Sequence, residues 1–117
     1  MAILSNLILA VVALLHLGFL VLEMFLWDRP FGRRTFNMTP EYSKASKSLA
    51  ANQGLYNGFL AAGLTWGLVT GDFAIKVFFL ICVIAAGVFG GLTAKRSILY
   101  LQALPGLFGL ILLYLSR

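Results

Sequence analysis

The sequence predicts an all-α protein, an integral membrane four-helix bundle with short connections and one longer basic loop between helices 1 and 2. Three observations carry that expectation. Hydrophobic residues make up 61% of the chain and charged residues only 11%. In water, a chain of 117 residues would bury only about two thirds of its surface, too little to hide so apolar a composition. Four stretches, about residues 3–27, 48–70, 73–94 and 97–115, approach the about 20 apolar residues that carry a helix across hydrocarbon. The charges collect between these stretches, and the whole chain reads as a single transmembrane domain.

The first stretch opens at Ala2 with no Lys or Arg before it and outruns a signal-peptide core, so it is read as a retained helix. Thr39 followed by Pro40 gives a cap-then-proline start that lets the second helix begin early, its first turns made polar by Glu41, Lys44 and Lys47. Gly71 with Asp72 stops one helix and starts the next. Lys95, Arg96 and Ser97 do the same between the third and fourth.

With four crossings, the 28–47 loop and the Lys95 turn share one side, opposite both termini and the Gly71 turn. Arg29, Arg33, Arg34, Lys44, Lys47, Lys95 and Arg96 lie on the first side, and only Lys76 and Arg117 of the nine basic residues on the other. The positive-inside rule therefore places both termini of a multi-pass membrane protein outside the cytoplasm. The lipid bilayer is the expected partner. No base-stacking motif accompanies the basic residues, so nucleic acid is not expected. Trp27, Phe31 and Tyr42 suit an interfacial aromatic belt.

Small residues recur at helical spacing on the second helix (Gly54, Gly58, Ala62; Gly63, Gly67) and the third (Gly87, Gly91; Ala86, Gly90). Such faces allow close helix contact, within one chain or in a homo-oligomer. Cys82 stands alone in an apolar run and gives neither a disulfide nor a CxxC site.

The polar residues inside the apolar stretches carry the functional expectation. His16 and Glu23 lie seven residues apart on nearly one face of the first helix, separated by about 10 Å along its axis. They cannot share one metal ion, and no further ligands accompany them, so neither metal nor cofactor is expected. The second helix brings Asn52, Gln53, Tyr56 and Asn57 in two adjacent stripes. The third offers Thr93. The fourth offers Gln102, close to the carbonyl that Pro105 leaves without its helical donor.

Counted inward from the basic end at about 1.5 Å per residue, Glu23, Asn52, Gln53, Thr93 and Gln102 fall on the order of 4 to 10 Å deep, and His16 and Asn57 deeper. If the stripes face inward, they line one polar cavity. A charged, unpaired Glu23 there is disfavoured by about 2.5 to 3.5 kcal/mol, so it is expected to be protonated, hydrated or paired.

In His16 with Glu23 and Trp27 (HLGFLVLEMFLW), the Asn-Gln-Gly-x-Tyr-Asn run from Asn52 to Asn57 followed by Phe59-Leu60-Ala61, and Gln102 with Pro105, the sequence resembles a family of small bacterial four-helix membrane proteins. That family is catalogued only as a domain of unknown function. The resemblance spans nearly the whole chain and implies the bundle and its polar site, but no reaction.

The residues themselves suggest a pocket for a lipophilic small molecule. Glu23 and His16 would exchange protons as its catalytic groups, Asn52, Gln53, Tyr56, Asn57 and Gln102 would orient the ligand, and Trp27 would cover it. One alternative is proton-coupled export by a dimer built on the glycine faces, as in small multidrug transporters of similar length. The other is an assembly partner without a small-molecule site.

Overall fold

The computed structural model describes residues 1–117, which form helices and no strand. There are five α-helices: α1 (Ala2–Met24), α2 (Pro30–Thr35), α3 (Pro40–Thr70), α4 (Phe73–Thr93) and α5 (Leu104–Leu115), the last entered through a π-helical turn, Leu99–Ala103. The chain divides into two compact units, Met1–Leu14 with Leu60–Arg117, and Leu15–Phe59. Helices α1 and α3 each contribute to both.

The first unit is built on a dry interior. Leu9, Val12 and Ala13 of α1, Leu64 of α3, Leu80 and Val83 of α4 and Leu113 of α5 form its buried cluster. Ser5, Lys76 and Gln102 are the buried polar residues of this unit, and the Ser5 hydroxyl is without a hydrogen-bond partner. Helix α4 packs on α5 and the π turn, and small residues explain how closely. A Cβ on Gly87 would overlap the backbone of Ala103, and one on Gly106 would come within 2.9 Å of Val83 Cγ1. Such backbone approach requires the absence of a side chain at the contact.

The turns of this unit follow from local chemistry. Gly71 adopts φ 69°, a left-handed conformation that glycine enters without steric penalty. Asp72 then caps α4 by accepting a hydrogen bond from the Ile75 amide at 3.0 Å. In the first turn of α5, Pro105 supplies no amide hydrogen, and its ring crowds the carbonyl of Leu101. The helix widens there, so that the Leu104 amide reaches back to the Leu99 carbonyl. Where the sequence leaves a carbonyl without its helical donor, the chain makes a π turn with Gln102 buried inside it.

Helices α1 and α4 are long and apolar enough to cross a membrane, and only 22% of each apolar window is buried. Large apolar side chains cover their outer faces: Leu14, Phe78, Phe89 and Leu92 are all more than half exposed.

The second unit holds a short helix within the 28–47 segment, ahead of the early helix start expected at Thr39-Pro40. Helix α1 ends at Met24 rather than near residue 27, and α2 follows within a few residues. Pro30 occupies the first position of α2 after an extended Arg29, a place where its fixed φ favours a helix and its missing amide hydrogen leaves nothing unpaired. Gly32 of α2 lies so close to the Leu26 carbonyl that a Cβ would collide with it. Asn37, with φ 53°, reverses the chain, a conformation Asn tolerates better than most residues. Helix α3 then begins at Pro40 with the Thr39 hydroxyl accepting from the Tyr42 amide at 3.1 Å.

Candidate functional site

In the second unit, α1 and α3 approach where Gly54 leaves room. A Cβ on Gly54 would lie 2.7 Å from Met24 Cγ and 3.1 Å from Glu23 Cβ. One turn further along α3, Gly58 faces Leu20 of α1 in the same way. Between these glycines, Asn57 Nδ2 donates a hydrogen bond of 2.5 Å to Glu23 Oε1. The pair joins positions 34 residues apart in sequence.

Glu23 has no cationic partner, since the ion pair in this structure joins Arg33 and Asp28. Its carboxyl is therefore matched to a neutral amide, which can donate to it in either protonation state. Asn57 is buried, whereas Glu23 keeps part of its surface open. His16, two turns before Glu23 on α1, is completely buried, and its ring meets Phe19 edge-on at 5.3 Å.

The other residues expected at the site are placed differently. Asn52, Gln53 and Tyr56 are exposed on α3, so of the two polar stripes only Asn57 turns inward. Tyr56 instead stacks obliquely with Phe59 at 6.0 Å. Gln102 belongs to the first unit, buried in the π turn. Thr93 bonds back to the Phe89 carbonyl at 2.6 Å, a local bond within α4.

Trp27 serves the corner between helices. Its indole Nε1 donates to Ser46 Oγ at 2.9 Å, and its ring lies 5.0 Å from Phe36. Beside it, Ser43, fully buried, donates to Asp28 Oδ1 at 2.6 Å, and Arg33 donates to the same oxygen at 3.1 Å and to the Asp28 carbonyl at 2.9 Å. The Ser43 hydroxyl, followed by Arg33, holds the Asp28 carboxyl below the usual carboxylate range.

The clasp around Asp28 is not among the features expected from sequence. Its signals are Pro30 as a helix start and Ser43 with Ser46 three residues apart on one helix face, facing the only acid of the loop before Glu41. No three His, Cys, Asp or Glu side chains come together, so the site has no set of side chains of the kind that hold a metal.

These features define a small all-helical protein with membrane-length apolar helices and a carboxyl–amide pair held between two of its helices. The chain belongs to the family described as "Protein of unknown function (DUF1304)", which matches residues 10–114. It is similar to the uncharacterized protein YpaA of Lactococcus lactis subsp. lactis (strain IL1403), with 30% identity over 115 residues, covering 95% of this chain and 97% of the relative. No solved structure matches it.

Proposed function

We propose that this is a multi-pass protein of the bacterial cytoplasmic membrane, crossing it four times with both termini outside, and that its Glu23–Asn57 centre binds the polar end of a lipophilic molecule. The low burial of α1 and α4 supports the membrane reading, because an apolar core helix of a soluble protein is mostly buried. Here 22% of each window is buried, and lipid is the solvent that suits the remainder. The seven basic residues on the side of the 28–47 loop support the orientation.

The observation that carries the ligand reading is the hydrogen bond from Asn57 to a partly exposed Glu23 that lacks any cationic partner. A carboxyl kept for packing alone would be better buried or ion-paired, whereas this residue is partly exposed and bonds Asn57 through Oε1, leaving its second oxygen for an incoming hydroxyl, amine or carbonyl-bearing group. Gln53 and Tyr56, exposed on α3 within one turn of Asn57, add polar contacts at the mouth. His16, about 10 Å along α1 and completely buried, would exchange a proton with the bound molecule only through an opening of the helix packing around it. Dimeric proton-coupled export draws less support, because Gly54 and Gly58 of the glycine face already meet α1 of their own chain.

The reading is tested by extracting co-purified lipophilic molecules from wild type and Glu23→Gln. Gln retains an acceptor for Asn57 but removes the titratable oxygen. A loss of co-purified molecule on the order of tenfold is expected, equivalent to one lost charge-assisted hydrogen bond. Equal extraction from both proteins would refute the ligand site.

A further inference from the structure

The first unit carries a second polar feature at the end opposite the π turn. A cleft of about 250 Å³ opens where Ala2 and Asn6 of α1, Gly71, and Phe73 and Lys76 of α4 meet the chain end after α5, with Ser116 and Arg117. Both ends of the chain and the Gly71 turn therefore converge on one cleft. Its volume lies below the about 300–1,000 Å³ of drug-sized ligand pockets and suits a small ion or a head group.

The charged side chains of the lining are both cationic. Lys76 is only 8% exposed, and its ammonium donates to Asn6 Oδ1 at 3.0 Å. It makes no ion pair. A buried ammonium with a single neutral partner is an incompletely compensated charge, since it has three hydrogens to donate. Because Asn6 turns its oxygen to Lys76, its Nδ2 remains a donor.

Arg117 adds a second cation, its guanidinium 4.4 Å from the centroid of the Phe73 ring. Stacking on that ring holds the planar group while leaving its edge donors available. The nearest acid in sequence, Asp72, is occupied in capping Ile75. The cleft thus presents two cations and an amide donor with no carboxylate among its lining side chains. Lys76 and Arg117 are also the only two basic residues outside the basic loop and the Lys95 turn.

We infer that this cleft binds a phosphate group, with Lys76, Asn6 and Arg117 donating to its oxygens. Phosphate offers acceptor oxygens in several directions, matching an ammonium point charge, an amide and a guanidinium fork. The shared chemistry has two sources: the head group of an anionic phospholipid, which Phe73 and Leu113 would flank with apolar surface, or free phosphate. This site is independent of Glu23, and its test does not read the lipophilic ligand.

The test uses the full chain purified in nonionic detergent. In one arm, native mass spectrometry compares retention of phosphatidylglycerol and phosphatidylcholine; in the other, sodium phosphate is titrated and followed by phosphorus NMR. Lys76→Gln and Arg117→Gln are each expected to weaken binding on the order of tenfold, with Lys76→Arg retaining it. Loss in the phosphatidylglycerol arm identifies a lipid head group, and loss in the phosphate arm identifies the free anion. Equal binding by wild type and both charge-removing variants, or no binding by wild type in either arm, overturns the inference. Should Lys76→Gln fail to fold, Arg117→Gln, at an exposed chain end, decides alone.

Discussion

Asn57 Nδ2 donates to Glu23 Oε1 across the contact between α1 and α3, with Gly54 on one side of the bond and Gly58 on the other. The glycines set the spacing that a carboxyl–amide bond needs, so the packing and the polar centre are one arrangement. Removing either half of it has separable effects.

Asn57→Leu removes the donor and leaves the Glu23 carboxyl without its partner, a change expected to destabilise the protein by about 1–3 kcal/mol. Glu23→Gln keeps an acceptor and should alter stability little. Thermal unfolding in detergent compares the two. A double-mutant cycle of Asn57→Leu with Glu23→Leu, which removes the acceptor as well, should return a coupling of at least about 0.5 kcal/mol, and additive effects in that cycle would mean that the bond contributes nothing.

The contact between α4 and the π turn has no slack at Gly87, where a Cβ would overlap the Ala103 backbone. Gly87→Ala should destabilise by about 1–3 kcal/mol through overpacking. Gly18 on α1 has open space where a methyl would stand, with nothing within 4 Å, so Gly18→Ala should stabilise by up to about 1 kcal/mol through helix propensity. Opposite shifts in unfolding midpoint are expected, and equal shifts would contradict the contact.

Ser5 keeps a buried hydroxyl without a partner in the first unit. Ser5→Ala deletes that oxygen without enlarging the side chain and should be neutral or stabilising by about 1 kcal/mol. A clear loss of stability in denaturant titrations would show that Ser5 is hydrogen-bonded.

The Asp28 clasp makes the α1–α2 corner acid-sensitive. The Ser43 hydrogen bond, with Arg33 second, lowers the Asp28 carboxyl below its ordinary value. A depressed folded-state value means that its contribution is present above the unfolded value, about 3.9, and is lost as pH falls through the lower folded one. Ser43→Ala should move the Asp28 titration back toward the ordinary range in carboxyl-carbon NMR. An unmoved titration would remove Ser43 as the cause.

Much of this fold could be read from residue patterns because the decisive signals were local. Thr39-Pro40 marks the start of α3, Gly71-Asp72 the turn into α4, and Pro105 the irregularity before α5. The polar layer was less legible. Period alone places Asn52, Gln53, Tyr56 and Asn57 in adjacent stripes, but which stripe faces α1 depends on where Gly54 and Gly58 let the helices touch, and that contact selects Asn57. Helix α2 was hidden because six residues from Pro30 to Thr35 hold too little hydrophobic periodicity to announce a helix. Its Gly32 reads as a loop residue until the Leu26 carbonyl is seen against it. The Lys76–Asn6 bond joins residues 70 apart, a separation at which no sequence pattern operates.

Photolabelling in proteoliposomes shows whether the Glu23–Asn57 centre receives a lipophilic molecule from the bilayer, as proposed. A lipid-soluble diazirine probe with a polar head should label residues around Gln53 and Tyr56 in the wild type, and labelling there should fall on the order of tenfold in Glu23→Gln. Labelling of the same residues at equal intensity in wild type and Glu23→Gln would contradict the account.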